Sequence, residues 1–159
     1  MSKDILNGMV AIYDRANGLV EKFIEICPDK IWAEPKGKFP VWQHVYHCYS
    51  AAAFFLAGEG NQPVEAIFGP AVGSFAEIPS IPGDKAAIAQ YGKEVDAFVR
   101  AYFAGLSDAD LAKPNAGLSA RINTSMSHSA TISLMIGHIF YHFGHCDAAL
   151  RDNGMQGLM

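Results

Sequence analysis

The chain has 159 residues, 50% of them hydrophobic, with 12 Lys+Arg against 16 Asp+Glu and a formal net charge of -4. That much apolar material with so little charge excludes a disordered chain, and an acidic balance without clustered Lys and Arg argues against nucleic acid as a partner. The length predicts a single domain over 1–159, with a sizeable core.

No apolar run is long enough to span a membrane, and the opening MSKDILNGMV lacks the apolar stretch of a signal peptide. Three widely spaced cysteines, Cys27, Cys48 and Cys146, fit reduced core thiols better than a disulfide frame. A soluble, cytoplasmic protein without a membrane partner is therefore expected.

Residues 2–27 place Ile5, Met9, Ile12, Ala16, Leu19, Phe23 and Ile26 at spacings of 4 and 3, predicting a first helix with these on its buried stripe and Pro28 as its stop. Residues 29–39, with Pro35 and Gly37, read as a loop. A second helix is predicted over about 40–58, opened by Pro40 and closed by Gly58 and Gly60. From Gly60 to Gly83, four prolines (Pro63, Pro70, Pro79, Pro82) interrupt the pattern, and Ile67, Phe68, Val72, Phe75 and Ile78 predict a long crossing segment that packs over the domain. Asp84 starts a third helix with the stripe Ile88, Tyr91, Val95, Phe98 and Tyr102, ending near Gly105, and Ser107 caps a short turn through Asp110. Residues 113–127 read as turns, and a fourth helix runs from about Ser129 to Asn153. The expected fold is all-α, a four-helix bundle with a long crossover between helices two and three.

Histidine carries the chemistry. The fourth helix has an apolar seam, Ile132, Ile136, Ile139, Phe143, Cys146 and Leu150, and beside it a second seam, Met135, His138, His142, His145 and Ala149. The two seams are offset by one residue, about 100° around the helix. His44 and His47 likewise share a face of helix two. Imidazoles offered by two helices build metal sites in bundles, and neutral imidazole suits Zn, Ni, Cu or Fe. His138 and His142, four apart, form the strong pair; the third ligand comes from His44 or His47. The competing reading is a polar layer in which the rings bond to Tyr46, Tyr141 or Asp147. His128 reads as exposed. Trp32, Trp42, Tyr46 and Tyr141 read first as core and second as walls of an apolar pocket. Metal affinity is expected to fall as pH drops through the imidazole range near 6.5.

The segment HIFYHFGHCDAALRDNG, with His138, His142, Gly144, Leu150, Arg151 and Gly154 in order, resembles the last-helix motif of the DinB/YfiT-like superfamily of small four-helix metal-binding proteins. FPVWQHVYHCYSA is similar to its second-helix ligand segment, and the resemblance implies His47, rather than His44, as the third ligand. His44 falls where the family usually has an apolar residue, Phe143 replaces its usual Arg and His145 its usual Gln. His44 and His145 are thus candidates for an extra ligand or for outer-sphere partners. The resemblance implies a divalent metal, Zn or Ni, with an open position that activates a low-molecular-weight thiol such as bacillithiol or mycothiol, or water, in thiol-transferase-like chemistry on a small-molecule substrate. The alternative is a non-catalytic, stress-related bundle with a structural metal or a polar His layer. A homodimer formed through an exposed apolar helix face is also expected.

Overall fold

The structure, a computed structural model, describes residues 2–58 and 64–159. Helix α1 (Asp4–Ile26) has the predicted extent, but it is turned about its axis. Its buried face is Leu6, Tyr13, Ala16, Asn17, Val20, Phe23 and Ile24, whereas Ile5 and Ile12 of the predicted stripe are 62% and 52% exposed. Tyr13 is the main reason. Its ring meets Phe103 edge-on at 5.6 Å and its hydroxyl donates to Asp96 Oδ1 at 3.0 Å, and burying so large a ring, together with Leu6, Val20 and Ile24 on the same face, outweighs leaving the two isoleucines partly in water. The first turn of α1 has no cap of its own. Asp108 supplies one from across the molecule, accepting from the Leu6 amide at 2.9 Å and from Ser2 Oγ at 2.7 Å.

The stretch predicted as a loop contains a short helix, α2 (Asp29–Ala33), and an antiparallel pair, β1 (Pro35–Lys36) and β2 (Phe39–Pro40), in the register Pro35↔Pro40 and Lys36↔Phe39. Gly37, at φ +66, makes the turn between them. Trp32 anchors α2 by donating from Nε1 to the Gly83 carbonyl at 2.7 Å. Helix α3 (Val41–Leu56) begins after Pro40 and ends two residues before the expected Gly58; the other predicted stop, Gly60, and Pro63 of the crossing segment lie outside the described residues. It is buried almost all round, the signature of a helix with neighbours on several sides.

The crossing segment holds a short helix, α4 (Pro70–Gly73). Gln43 ties it to α3, donating from Nε2 to the carbonyls of Val72 at 2.9 Å and Glu77 at 2.7 Å. Val72, Phe68 and Phe75 turn inward as expected, but Ile67 and Ile78 are 42% and 46% exposed. Helix α5 (Lys85–Ala104) is capped by Asp84, which accepts from the Ala87 amide at 2.8 Å, and buries Ile88, Tyr91, Val95 and Phe98. The predicted turn at Asp108–Asp110 is present with its Ser107 capping box. A further helix, α6 (Ala116–Ile122), occupies part of the stretch read as turns; Asn115 caps its start and Asn123, in the left-handed region, its end. Helix α7 (His128–Asp152) is capped by Ser127, and its predicted apolar seam is buried throughout.

The chain is mainly helical. Helix α3 packs against α7 and α5, and α1 packs against the same two. The histidine windows therefore meet at the α3–α7 contact. Among the described residues no helix is long and apolar enough to cross a membrane.

Candidate metal centre

Because α3 and α7 lie side by side, the His44/His47 face and the imidazole seam confront each other. Among the described residues, His47, His138 and His142 form the one group whose potential ligand atoms all lie within 4.8 Å of one another. Metal–imidazole bonds of ~2.0–2.1 Å bridge nitrogens up to about 4.2 Å apart, so small ring rotations bring the triad within reach of one ion.

The partners of each ring assign its protons. His47 Nδ1 lies 2.5 Å from the Gly73 carbonyl. A carbonyl only accepts, so Nδ1 carries the hydrogen and Nε2 keeps its lone pair. That Nε2 is 2.7 Å from His138 Nε2, so in the metal-free chain His138 donates to it. His44 Nε2 lies 3.1 Å from the Lys36 carbonyl and must donate there, which leaves His44 Nδ1 as an acceptor for the Nδ1–H of His142, 3.1 Å away. His142 is thereby left with a free lone pair on Nε2. The donor set suits a metal: two rings have their non-ligating nitrogens fixed by acceptors, the arrangement that orients histidine ligands.

This chain of bonds places His44 behind the triad. His145 stacks on His44, centroids 4.5 Å apart at 18°, and meets Tyr141 edge-on. Neither belongs to the group of three. The polar layer of the competing reading takes a different form, since Tyr46 bonds the Phe68 carbonyl, Asp147 bonds Arg151, and Tyr141 is largely exposed. The imidazoles bond to one another and to backbone carbonyls instead.

Burial governs the electrostatics. Desolvation lowers His44 and His47 to about 4 against the weaker raising effect of their carbonyl partners, and lowers His142 to about 3 with help from the surrounding imidazoles. His138 is lowered by the same desolvation. Burial also pushes up the thiols, Cys27 to about 11, Cys48 to about 12 and Cys146 well above its usual value, so none is a ready nucleophile.

Several contributors carry no signal in the sequence. The carbonyls of Lys36 and Gly73 hold His44 and His47, and both belong to short elements that periodicity does not predict. Phe75 covers the cluster, its ring centroid 4.4 Å from that of His47 and 5.2 Å from those of His44 and His142. It does so at φ +60, a conformation a bulky side chain adopts only when its surroundings impose it. A left-handed Phe leaves no mark in the sequence. Phe143, in place of the family's usual Arg, is a core residue edge-on to Phe23 at 6.3 Å. His128 is half-buried rather than exposed, with Nδ1 2.6 Å from the Tyr102 hydroxyl. Trp32 and Trp42 are core, and Tyr46 also lines a cavity of about 960 Å³ beside His47 and His138.

A family model described as the DinB superfamily matches residues 12–146. Among solved structures, the chain is similar to the crystal structure of a DinB-like protein from Bacillus cereus ATCC 10987, at 18% identity and a TM-score of 0.74, with 96% of this chain and 95% of that chain covered. At that identity the likeness concerns the fold. No curated protein matches the chain.

Proposed function

The chain belongs to the DinB superfamily, and from that premise we propose that His47, His138 and His142 hold one divalent transition metal ion, zinc or nickel, with a coordination position left for substrate. The observation that carries the reading is the convergence of three imidazoles from two helices within 4.8 Å, with no carboxylate or thiol among the described residues joining them. Such an ion supplies Lewis acidity that makes a bound thiol or water nucleophilic at neutral pH. The chain's own residues do the rest. Gly73 and His44 fix the rings of His47 and His142, and Phe75 shields the cluster from solvent. Because the chain's cysteines are buried with raised pKa values, the thiol in this reading comes from outside, as a low-molecular-weight cytoplasmic thiol. The activity is thus that of a metal-dependent thiol transferase. In the same reading the four long helices form a four-helix bundle whose crossover contains α4.

Elemental analysis of untagged protein tests this. About one equivalent of metal per chain is expected, lost when His138 and His142 are both replaced by Ala. A cobalt-loaded sample should gain a thiolate-to-metal charge-transfer band on addition of the thiol. Protein that stays metal-free on titration with zinc and nickel overturns the proposal.

A further inference from the structure

The cavity beside the triad has a volume of about 960 Å³, at the upper end of the range for small-molecule sites. His47 and His138 are part of its wall, so whatever fills it abuts the metal centre. The wall follows from helical spacing: Ser50, Ala51 and Phe54 lie three, four and seven residues beyond His47 and so continue its stripe along α3. Across from them, residues 64–74 close the other side, with Pro70, Ala71 and Gly73 of α4 among the lining. The volume exists because much of this lining is alanine, glycine and proline where larger residues would fill it.

The lining also defines the guest. Among the described residues its two charged members, Glu65 and Arg121, have opposite signs and are both exposed. Arg121 is already engaged, donating from Nη2 to the Phe54 carbonyl at 2.7 Å and sitting 5.2 Å from the Phe54 ring centroid. Among the described residues no cation is therefore directed inward for a carboxylate or phosphate, and of the lining hydroxyls Ser50, Ser74 and Tyr46 already donate to the carbonyls of His47, Ala71 and Phe68, which leaves too few to satisfy a sugar. A polar thiol would lose hydration here without replacing it.

We propose that this cavity binds an uncharged, apolar molecule of two or three rings' size, the acceptor substrate that the metal-bound thiol meets. Naming the guest a substrate rests on the metal-centre reading; binding of an apolar guest does not.

The test uses the whole protein and the neutral fluorophore N-phenyl-1-naphthylamine, titrated into metal-free and cobalt-loaded samples. One equivalent should bind with a blue shift, perturb the cobalt d–d spectrum, and resist displacement by glutathione. Ser50→Leu and Ala71→Leu, on opposite walls, should each weaken probe binding by about tenfold or more, with cobalt uptake and thermal melting recorded on the same samples. If one variant fails to fold, the other decides. Absence of probe binding, equal binding by a folded variant, or displacement by glutathione overturns the proposal. If the probe binds and the variants block it while cobalt does not bind at all, the apolar cavity stands and the metal-centre reading falls.

Discussion

His44 Nδ1 and His142 Nδ1 are 3.1 Å apart, and that single contact decides which nitrogen of His142 is free. His44→Phe removes the acceptor and leaves His142 without a fixed tautomer, so metal affinity should fall by roughly 10–100-fold, as for other lost outer-sphere partners. Nitrogen-15 NMR of the metal-free variant should show His142 exchanging between tautomers where the parent shows one, which a merely structural loss would not produce. His145→Ala removes only a stacking partner and should change affinity far less. The same burial sets the response to pH. Unfolded imidazoles take up protons near 6.5, whereas His44 and His47 in the folded chain wait until about 4 and His142 until about 3. The unfolded state thus binds more protons below 6.5, so the stability of the metal-free chain is fully present above that pH and declines as pH falls toward 4. Urea midpoints at pH 7.5 and 5.0 check this, with the lower midpoint expected at pH 5.0. Metal retention, which the sequence places near pH 6.5, should accordingly persist below that pH on dialysis, since burial lowers the pKa of all three folded ligands.

Two interior glycines at opposite extremes of crowding show what governs the helices. Gly18, mid-helix in α1, has nothing within 4 Å of the place a β-carbon would occupy, so Gly18→Ala should raise stability by about 0.5–1 kcal/mol through helix propensity alone. Gly92 in α5 would place a β-carbon 2.5 Å from Tyr49 Cζ; Gly92→Ala should therefore cost about 1–3 kcal/mol by overpacking. Urea unfolding of both variants measures the contrast. Both glycines look alike in the sequence, and only the neighbouring helix distinguishes them. The long helices were legible because each carries its own periodicity and stop signals, as α7 does with its apolar seam and Gly154 just past its end. The short elements α2, β1–β2, α4 and α6 were not, since pieces of that length form only with tertiary partners such as Trp32 on Gly83 or Gln43 on Val72.

At the scale of the molecule, an ion held by His47 of α3 and by His138 and His142 of α7 would tie together the two helices most central to the packing. Free metal at about a thousand times Kd adds about 4 kcal/mol by linkage, and about 2–4 °C per kcal/mol in a chain of this size predicts a Tm rise of roughly 8–16 °C. Thermal melting with zinc, with chelator, and with His142→Ala, which should abolish the rise, provides the measurement. A mainly helical chain, the buried seam of α7, the helix start at Asp84, and two histidine windows on helical faces were all specified by the amino-acid order alone, because these depend on spacing within a single element. The rotation of α1, the left-handed Phe75 over the rings, the carbonyls that assign the imidazole protons and the apolar cavity emerged only once the helices were packed. Each depends on which surface lies opposite, and that is settled by competition among large buried side chains and by the need to pair every buried polar atom, neither of which has a period along the chain.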